Sequence, residues 1–374
     1  MSNRGRLSAA HCWVVKIGSA LLTKNGQGLD LEMMSSWVSQ MCFIREQGID
    51  VVLVSSGAIA AGMDCLGWEE RPDTINQLQA AAAVGQMRLV QAWETAFQNH
   101  GVQSAQILLT HADHSNRQRY LNSRGTLKAL MEHGIVPVVN ENDTVVTDEI
   151  GFGDNDTLAA LVANLIEAEV LVLLTDQDGL FTGDPRNNSN AVLIDESPAI
   201  NPDLDKMAGG NGGRLGCGGM QTKLRAGRLV ATSGAATVIA NGRTDGILQS
   251  LYNQQTLGTL LLPEKERLAA RKQWLYGHMK TSGELFIDKG AVHVLREGGS
   301  SLLAVGVIFV KGSFQRGEMV TCVDGAGVEV ARGLINYGSA DARKIMGMPS
   351  SMILGVLGYK SEDELIHRDN MVIV

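Results

Sequence analysis

The sequence predicts an α/β protein: a three-layer αβα domain with a mostly parallel central sheet, followed by a small β-rich domain. Three observations carry this expectation. Apolar runs such as "CWVVKIG", "DVVLVSS" and "EVLVLLTD" are continuous rather than alternating, the pattern of strands buried on both faces. Stretches with helical periodicity separate them, so that strand and helix alternate up to Leu262. Beyond Leu262 the rhythm changes to short β-like runs divided by glycine turns. A length of 374 residues suits two domains, and 44% hydrophobic with 19% charged residues supplies an ordinary globular core.

The elements follow in order. Cys12–Gly18 reads as the first strand. A helix opens at Leu31, with Asp30 to assist its start and Gly48 to end it. Asp50–Ser56 is the second strand, and "SSGAIAAG" (Ser55–Gly62) carries it through a Ser-Gly turn into a helix of small residues. An Ala-rich helix from Thr74 is closed by Gly101. Val102–Thr110 is a strand, a helix spans about Asn116 to His133, and Ile135–Val139 is the next strand. A helix from about Asp156 to Glu167 leads into the strand Glu169–Asp176. Met220–Gly234 is helical and Ala236–Gly242 is a strand. Residues 1–262 therefore form the first domain, Pro263–Lys280 a polar helical linker, and 281–374 the second domain. Its β-like runs are "GELFIDKGAVHVL", "SLLAVGVIFVKGSF" and "EMVTCVDGAGVEVARGLINY".

Composition narrows the function. A net charge of −8 argues against general nucleic-acid binding, and residues 281–374 hold nine Lys and Arg against eleven Asp and Glu, a poor footprint for RNA. The cysteines Cys12, Cys42, Cys65, Cys217 and Cys322 are scattered with no C-x-x-C pair, which predicts a reducing compartment and no zinc site. Met1 leads into a polar segment and no apolar run reaches membrane-spanning length, so the expectation is a cytoplasmic protein without membrane attachment. His111 and His114 stand three apart in a turn; Asp113 and His114 read as caps of the following helix rather than as metal ligands.

Ligands of open α/β sheets bind beyond the carboxyl ends of the strands, and polar clusters gather there. Lys16-Ile17-Gly18-Ser19 places a point charge beside a glycine turn, suited to phosphate. "GGNGGRLGCGGMQTK" (Gly209–Lys223) is a glycine loop opening a helix that carries Lys223, so its free N–H groups face an anion. It is not a G-x-x-x-x-G-K-[ST] loop, and no G-x-G-x-x-G follows the first strand. "VVNENDTVVTDEIGFGDNDTLAALVANLI" gathers Asn140, Glu141, Asn142 and Asp143 at one strand end, and Asp154, Asn155 and Asp156 at one helix start. Such groups either face water as turns and caps or hold a polar ligand.

The motifs "VVKIGSALLT", "VSSGAIAAG", "AAVGQMRL", "VPVVNENDTV", "GDNDTLAALVA", "LLLTDQDGLFTGDPR" and "GGMQTK" together resemble the amino-acid kinase superfamily, and within it the gamma-glutamyl kinases. "GELFIDKGA" and "RGLINYGSADARKI" resemble their C-terminal PUA domain, which implies a small β-rich barrel there. The resemblance implies ATP-dependent phosphorylation of the γ-carboxylate of L-glutamate, the first step of proline biosynthesis. It implies Lys16, Lys223 and Asp156 as catalytic residues and Ser56, Asp143 and Asn155 as the glutamate site. Lys16, Thr175, Asp176, Cys217, Gly218, Gly219, Met220, Gln221, Thr222 and Lys223 would bind ATP, with Mg2+ held mainly by the phosphates and no metal cage in the protein. It further implies feedback inhibition by proline, homo-oligomer formation and glutamyl phosphate reductase as a partner. The chain has Cys217 where the family usually shows Thr, Gln221 where Ser or Thr is frequent, and Ser19-Ala20 for Thr-Ser. The alternatives are a kinase for another carboxylate or an RNA-binding role led by the second domain.

Overall fold

The computed structural model describes residues 3–23, 28–110, 113, 117–145, 155–185, 188, 190–208, 219–264 and 281–373. They form two compact units: one within 3–113 and 123–264, the other comprising 117–122 and 281–373. The expected linker lies outside the described residues from 265 onward.

In the first unit the strands are β1 (Cys12–Ile17), β2 (Asp50–Ser55), β3 (Ser104–Leu109), β4 (Val136–Glu141), β5 (Val170–Thr175), β6 (Glu196–Pro198), β7 (Ala236–Asn241) and β8 (Thr259–Leu262). They form one sheet in the order β3-β4-β2-β1-β5-β7-β8-β6. All neighbours are parallel except β7 and β8. β1, β4 and β5 are buried along their whole length, which is why their apolar runs do not alternate. β6 and β8 are three and four residues long, too short to leave a periodic signal. β4 runs two residues past the expected end and takes Asn140 and Glu141 into the sheet, because both pair with β3.

Helices cover the faces. In Leu31–Glu46 the Asp30 carboxylate accepts a hydrogen bond from the Met33 N–H, and Gly48 takes a positive φ of 83° just beyond the end, as expected. The helices Ala58–Leu66 and Ile75–Gln98 cross almost in contact. A Cβ on Gly62 would meet the Ala81 carbonyl oxygen at 1.7 Å, and one on Gly85 the Ala58 carbonyl oxygen at 1.9 Å. The small-residue runs in both helices are thus a packing requirement.

The second unit has β9 (Gly283–Ile287), β10 (Val307–Gly312), β11 (Met319–Val323), β12 (Glu329–Leu334) and β13 (Met371–Ile373), in the order β10-β9-β11-β12-β13. Its own core includes Leu285, Leu295, Phe314, Val330 and Tyr337. "GELFIDKGAVHVL" is not a single β-like run. It splits into β9 and a helix, Lys289–Gly298, because the Asp288 carboxylate caps the Ala291 N–H at 2.7 Å and Ala291, Val292 and Leu295 turn inward at helical spacing.

Candidate functional site

Parallel register brings the polar strand ends to one edge. Ile17 stands opposite Ser55 and Leu174, and Val54 opposite Val139. Lys16, Ser56, Asn140 and Thr175 therefore emerge together. They line a cleft of about 360 Å³ with Gly18, Ser19, Glu141, Asp143, Asn155, Asp176, Gly219 and Lys223. A groove of about 540 Å³ between the helices Leu31–Glu46, Ala58–Leu66 and Ile75–Gln98 is larger, but shares no lining residue with it and gathers no comparable set of charges.

The floor is an ion triad. Asp156, in the first turn of the helix Asn155–Ile166, is 1% exposed, and Lys16 and Lys223 are 4% and 5% exposed. Lys16 Nζ donates to Asp156 Oδ1 at 2.6 Å, and Lys223 Nζ to Asp156 Oδ2 at 3.0 Å. Thr222 Oγ1 lies 2.8 Å from the same Oδ2 and 2.7 Å from the Gly219 carbonyl oxygen, and its single proton serves one of them. Burial alone would raise the Asp156 pKa; the two ammonium groups and the hydrogen bonds overcome it and hold the carboxyl far below its usual range. Burial lowers the Lys223 pKa, with Asp156 opposing. The helix Met220–Ala231 starts at Gly219 with no side-chain cap, and Gly219 and Lys223 line the cleft from this one element.

At the other side stand Ser56, the turn at Gly57 and Asp143. Gly57 has φ 95°, a conformation that opens the helix directly from β2. Burial pushes the Asp143 carboxyl up to about 6, opposed by the Arg71 guanidinium. Asn155 Nδ2 donates to the Ser55 carbonyl oxygen at 2.7 Å and to Asn140 Oδ1 at 2.9 Å.

The structure thus brings together Lys16, Ser56, Asp143, Asn155, Asp156, Thr175, Asp176, Gly219 and Lys223. Met220 and Gln221 are not in the cleft lining, and Thr222 stands against Asp156. Cys217, Gly218 and Asp154 lie outside the described residues. Asn142 turns away: its Oδ1 accepts from Thr144 Oγ1 at 2.6 Å. Asp113 Oδ2 accepts from the Thr110 N–H at 2.7 Å and from the Thr110 hydroxyl at 2.8 Å, three residues back along the chain; His111 and His114 lie outside the described residues. Arg71 was not anticipated, since it sits in the exposed loop "EERPD" with no local signal. Among the described residues no three His, Cys, Asp or Glu side chains are grouped to hold a metal, and no helix is long and apolar enough to cross a membrane.

Residues 11–241 match the amino acid kinase family and residues 283–357 the PUA domain. The chain is 62% identical over 371 residues to proteins named glutamate 5-kinase in Pseudomonas putida (strain GB-1) and Pseudomonas entomophila (strain L48), covering 99% of this chain and 100% of each relative. Among solved structures, a UMP kinase from Bacillus anthracis aligns with a TM-score of 0.49 and 15% identity, over 68% of this chain and 97% of that one.

Proposed function

The chain belongs to the amino acid kinase family, and on that premise we propose that it transfers the γ-phosphoryl group of ATP to the γ-carboxylate of L-glutamate, giving L-glutamyl 5-phosphate and ADP. The observation that carries the reading is the triad: one ionised carboxylate holding two ammonium groups at the floor of a polar cleft. The nucleophile is a carboxylate with an ordinary pKa of roughly 4.3, so it is ionised at neutral pH and needs no general base. The barrier is repulsion between two anions. Lys16 and Lys223 offset it and stabilise the charge spread over the transferring phosphoryl oxygens. Asp156 takes no proton; it positions the lysines. Thr175, Asp176 and the backbone from Gly219 face the nucleotide, with Cys217, Gly218, Met220, Gln221 and Thr222 in the same segment. A magnesium ion would take its ligands mainly from the phosphates and neutralise part of their charge. Ser56 and the N–H groups after Gly57 hold the α-carboxylate, while Asp143 and Asn155 hold the α-ammonium. We assign residues 1–262 to this activity, 263–280 to a linker and 281–374 to a separate PUA unit; limited proteolysis cutting first inside 263–280 is the expected result.

A panel of acceptors with ATP tests the reading. L-Glutamate should give ADP and, with hydroxylamine, the γ-hydroxamate that reports an acyl phosphate. Aspartate, N-acetylglutamate and UMP should not. Turnover with one of these in place of glutamate overturns it. An acyl phosphate hydrolyses readily, so a reductase that consumes it, such as glutamyl phosphate reductase, is the fitting next step.

The raised pKa of Asp143 sets a pH dependence. Below pH 6 the carboxyl of the free protein is neutral and cannot pair with an ammonium; above it the carboxylate is formed. Glutamate kcat/KM is therefore expected to be flat above pH 6 and to fall about tenfold per unit below it. Asp143→Asn should lower kcat/KM and remove the inflexion. A wild-type profile flat down to pH 5 would separate Asp143 from substrate binding.

Proline shares the α-carboxylate and a cationic nitrogen with glutamate but offers nothing to phosphorylate. It is expected to inhibit competitively with glutamate through Ser56 and Asp143, without dependence on ATP. Inhibition that saturating glutamate leaves undiminished points to a separate site.

A further inference from the structure

We infer that Gln86, which does not line the cleft, steadies the glutamate site through Asn140 by holding the amide of Asn155 in place with its carbonyl oxygen toward the ligand. The inference rests on the glutamate reading above. It starts from two backbone groups whose roles are fixed. The Ser55 carbonyl oxygen can only accept, and it receives a hydrogen bond from Asn155 Nδ2 at 2.7 Å. The Glu141 N–H can only donate, and it gives to Asn140 Oδ1 at 2.9 Å. Asn140 Oδ1 also accepts from Asn155 Nδ2 at 2.9 Å. Both N–H bonds of Asn155 are thereby used, which leaves Oδ1 as the amide atom for the cleft. The orientation of both amides follows from geometry, not from a choice between equivalent atoms.

The remaining end of the chain is Asn140 Nδ2, which donates to Gln86 Oε1 at 2.7 Å. Gln86 belongs to the helix Ile75–Gln98 and follows Gly85, where that helix comes within contact of the Ala58 carbonyl oxygen. The close approach is what brings Gln86 within reach of Asn140, 54 residues away in sequence. Without an acceptor there, Asn140 Nδ2 is left unpaired, and Asn140 can regain a partner only by shifting away from Asn155 and the Glu141 N–H. Asn155 then keeps its bond to the Ser55 carbonyl oxygen but loses the second one, which steadies its amide, and the acceptor Oδ1 is held less firmly beside Asp143. An acceptor suits the α-ammonium of glutamate and repels its carboxylates, so Gln86 is a positioning residue for recognition of the ammonium.

The experiment compares Gln86→Met, Gln86→Ala and Gln86→Glu with the wild type in steady-state kinetics. Glutarate, which lacks the α-ammonium, serves as a competitive inhibitor. Removing the acceptor in the Met and Ala variants should raise the glutamate KM about tenfold, the effect of one buried hydrogen bond, with kcat nearly unchanged and the glutarate inhibition constant unmoved. Gln86→Glu keeps an acceptor and should retain the wild-type KM. Equal weakening of glutamate and glutarate means that Gln86 merely supports the fold and overturns the proposal. So does a raised glutamate KM in Gln86→Glu, which decides the matter even if the other variants fail to fold. Failure of the wild type to phosphorylate glutamate is a separate result, which removes the functional reading before any variant is made.

Discussion

Asp156→Asn is expected to lower kcat by about 10²–10³-fold, the range seen when a charge-stabilising group is lost from an active site, while leaving the glutamate KM comparatively unchanged. Asparagine keeps the size of the side chain but removes the charge that holds two buried ammonium groups together. One oxygen still accepts from one lysine; the other position becomes an N–H donor facing an ammonium. The lysines then separate, and the phosphoryl group loses the pair that should meet it. The same change should cost stability. Removing one partner of a buried ion cluster typically costs about 3–5 kcal/mol, which urea unfolding of the ligand-free protein measures directly. The pH dependence has a definite sign. The folded pKa of Asp156 is depressed, so its stabilisation is complete above the ordinary carboxylate range and is lost as pH falls toward the folded value. The Asn variant should lack that acid-dependent part. Wild-type kcat together with wild-type stability would leave the triad without a role.

Lys16→Ala and Lys223→Ala should each reduce kcat by about 10²–10³-fold with little effect on the glutamate KM, because the charge they meet is greatest in the transition state. Losses in kcat and kcat/KM should be equal, the signature of an interaction made only there. Combining either change with Asp156→Asn should cost less than the sum of the two, since all three residues share one set of contacts. The two lysines reach the site from unrelated elements, β1 and the helix Met220–Ala231. A near-normal kcat in one variant would therefore remove that lysine alone from the mechanism.

The sequence by itself determined the parallel αβα architecture, because strands buried on both faces must be apolar at successive positions. It also marked Lys16, Ser56, Asp143, Asn155 and Lys223, because polar residues at the end of such a strand or the start of a helix interrupt an otherwise apolar pattern. The ends of the expected strands of the first unit were legible to within two residues; at β4, pairing with β3 drew Asn140 and Glu141 into the sheet. The short β6 and β8 left no period to read. Only the tertiary structure decided that Asp156 holds both lysines, which are 140 and 67 residues away, and that Gln86 supports Asn140. It also placed Arg71 beside Asp143. These relations depend on the register of strands distant in sequence and on how closely two helices approach at Gly62 and Gly85. Neither is set by the neighbours of the residues concerned, so an exposed arginine in a loop and a glutamine on a helix look the same in sequence whether or not they serve a site.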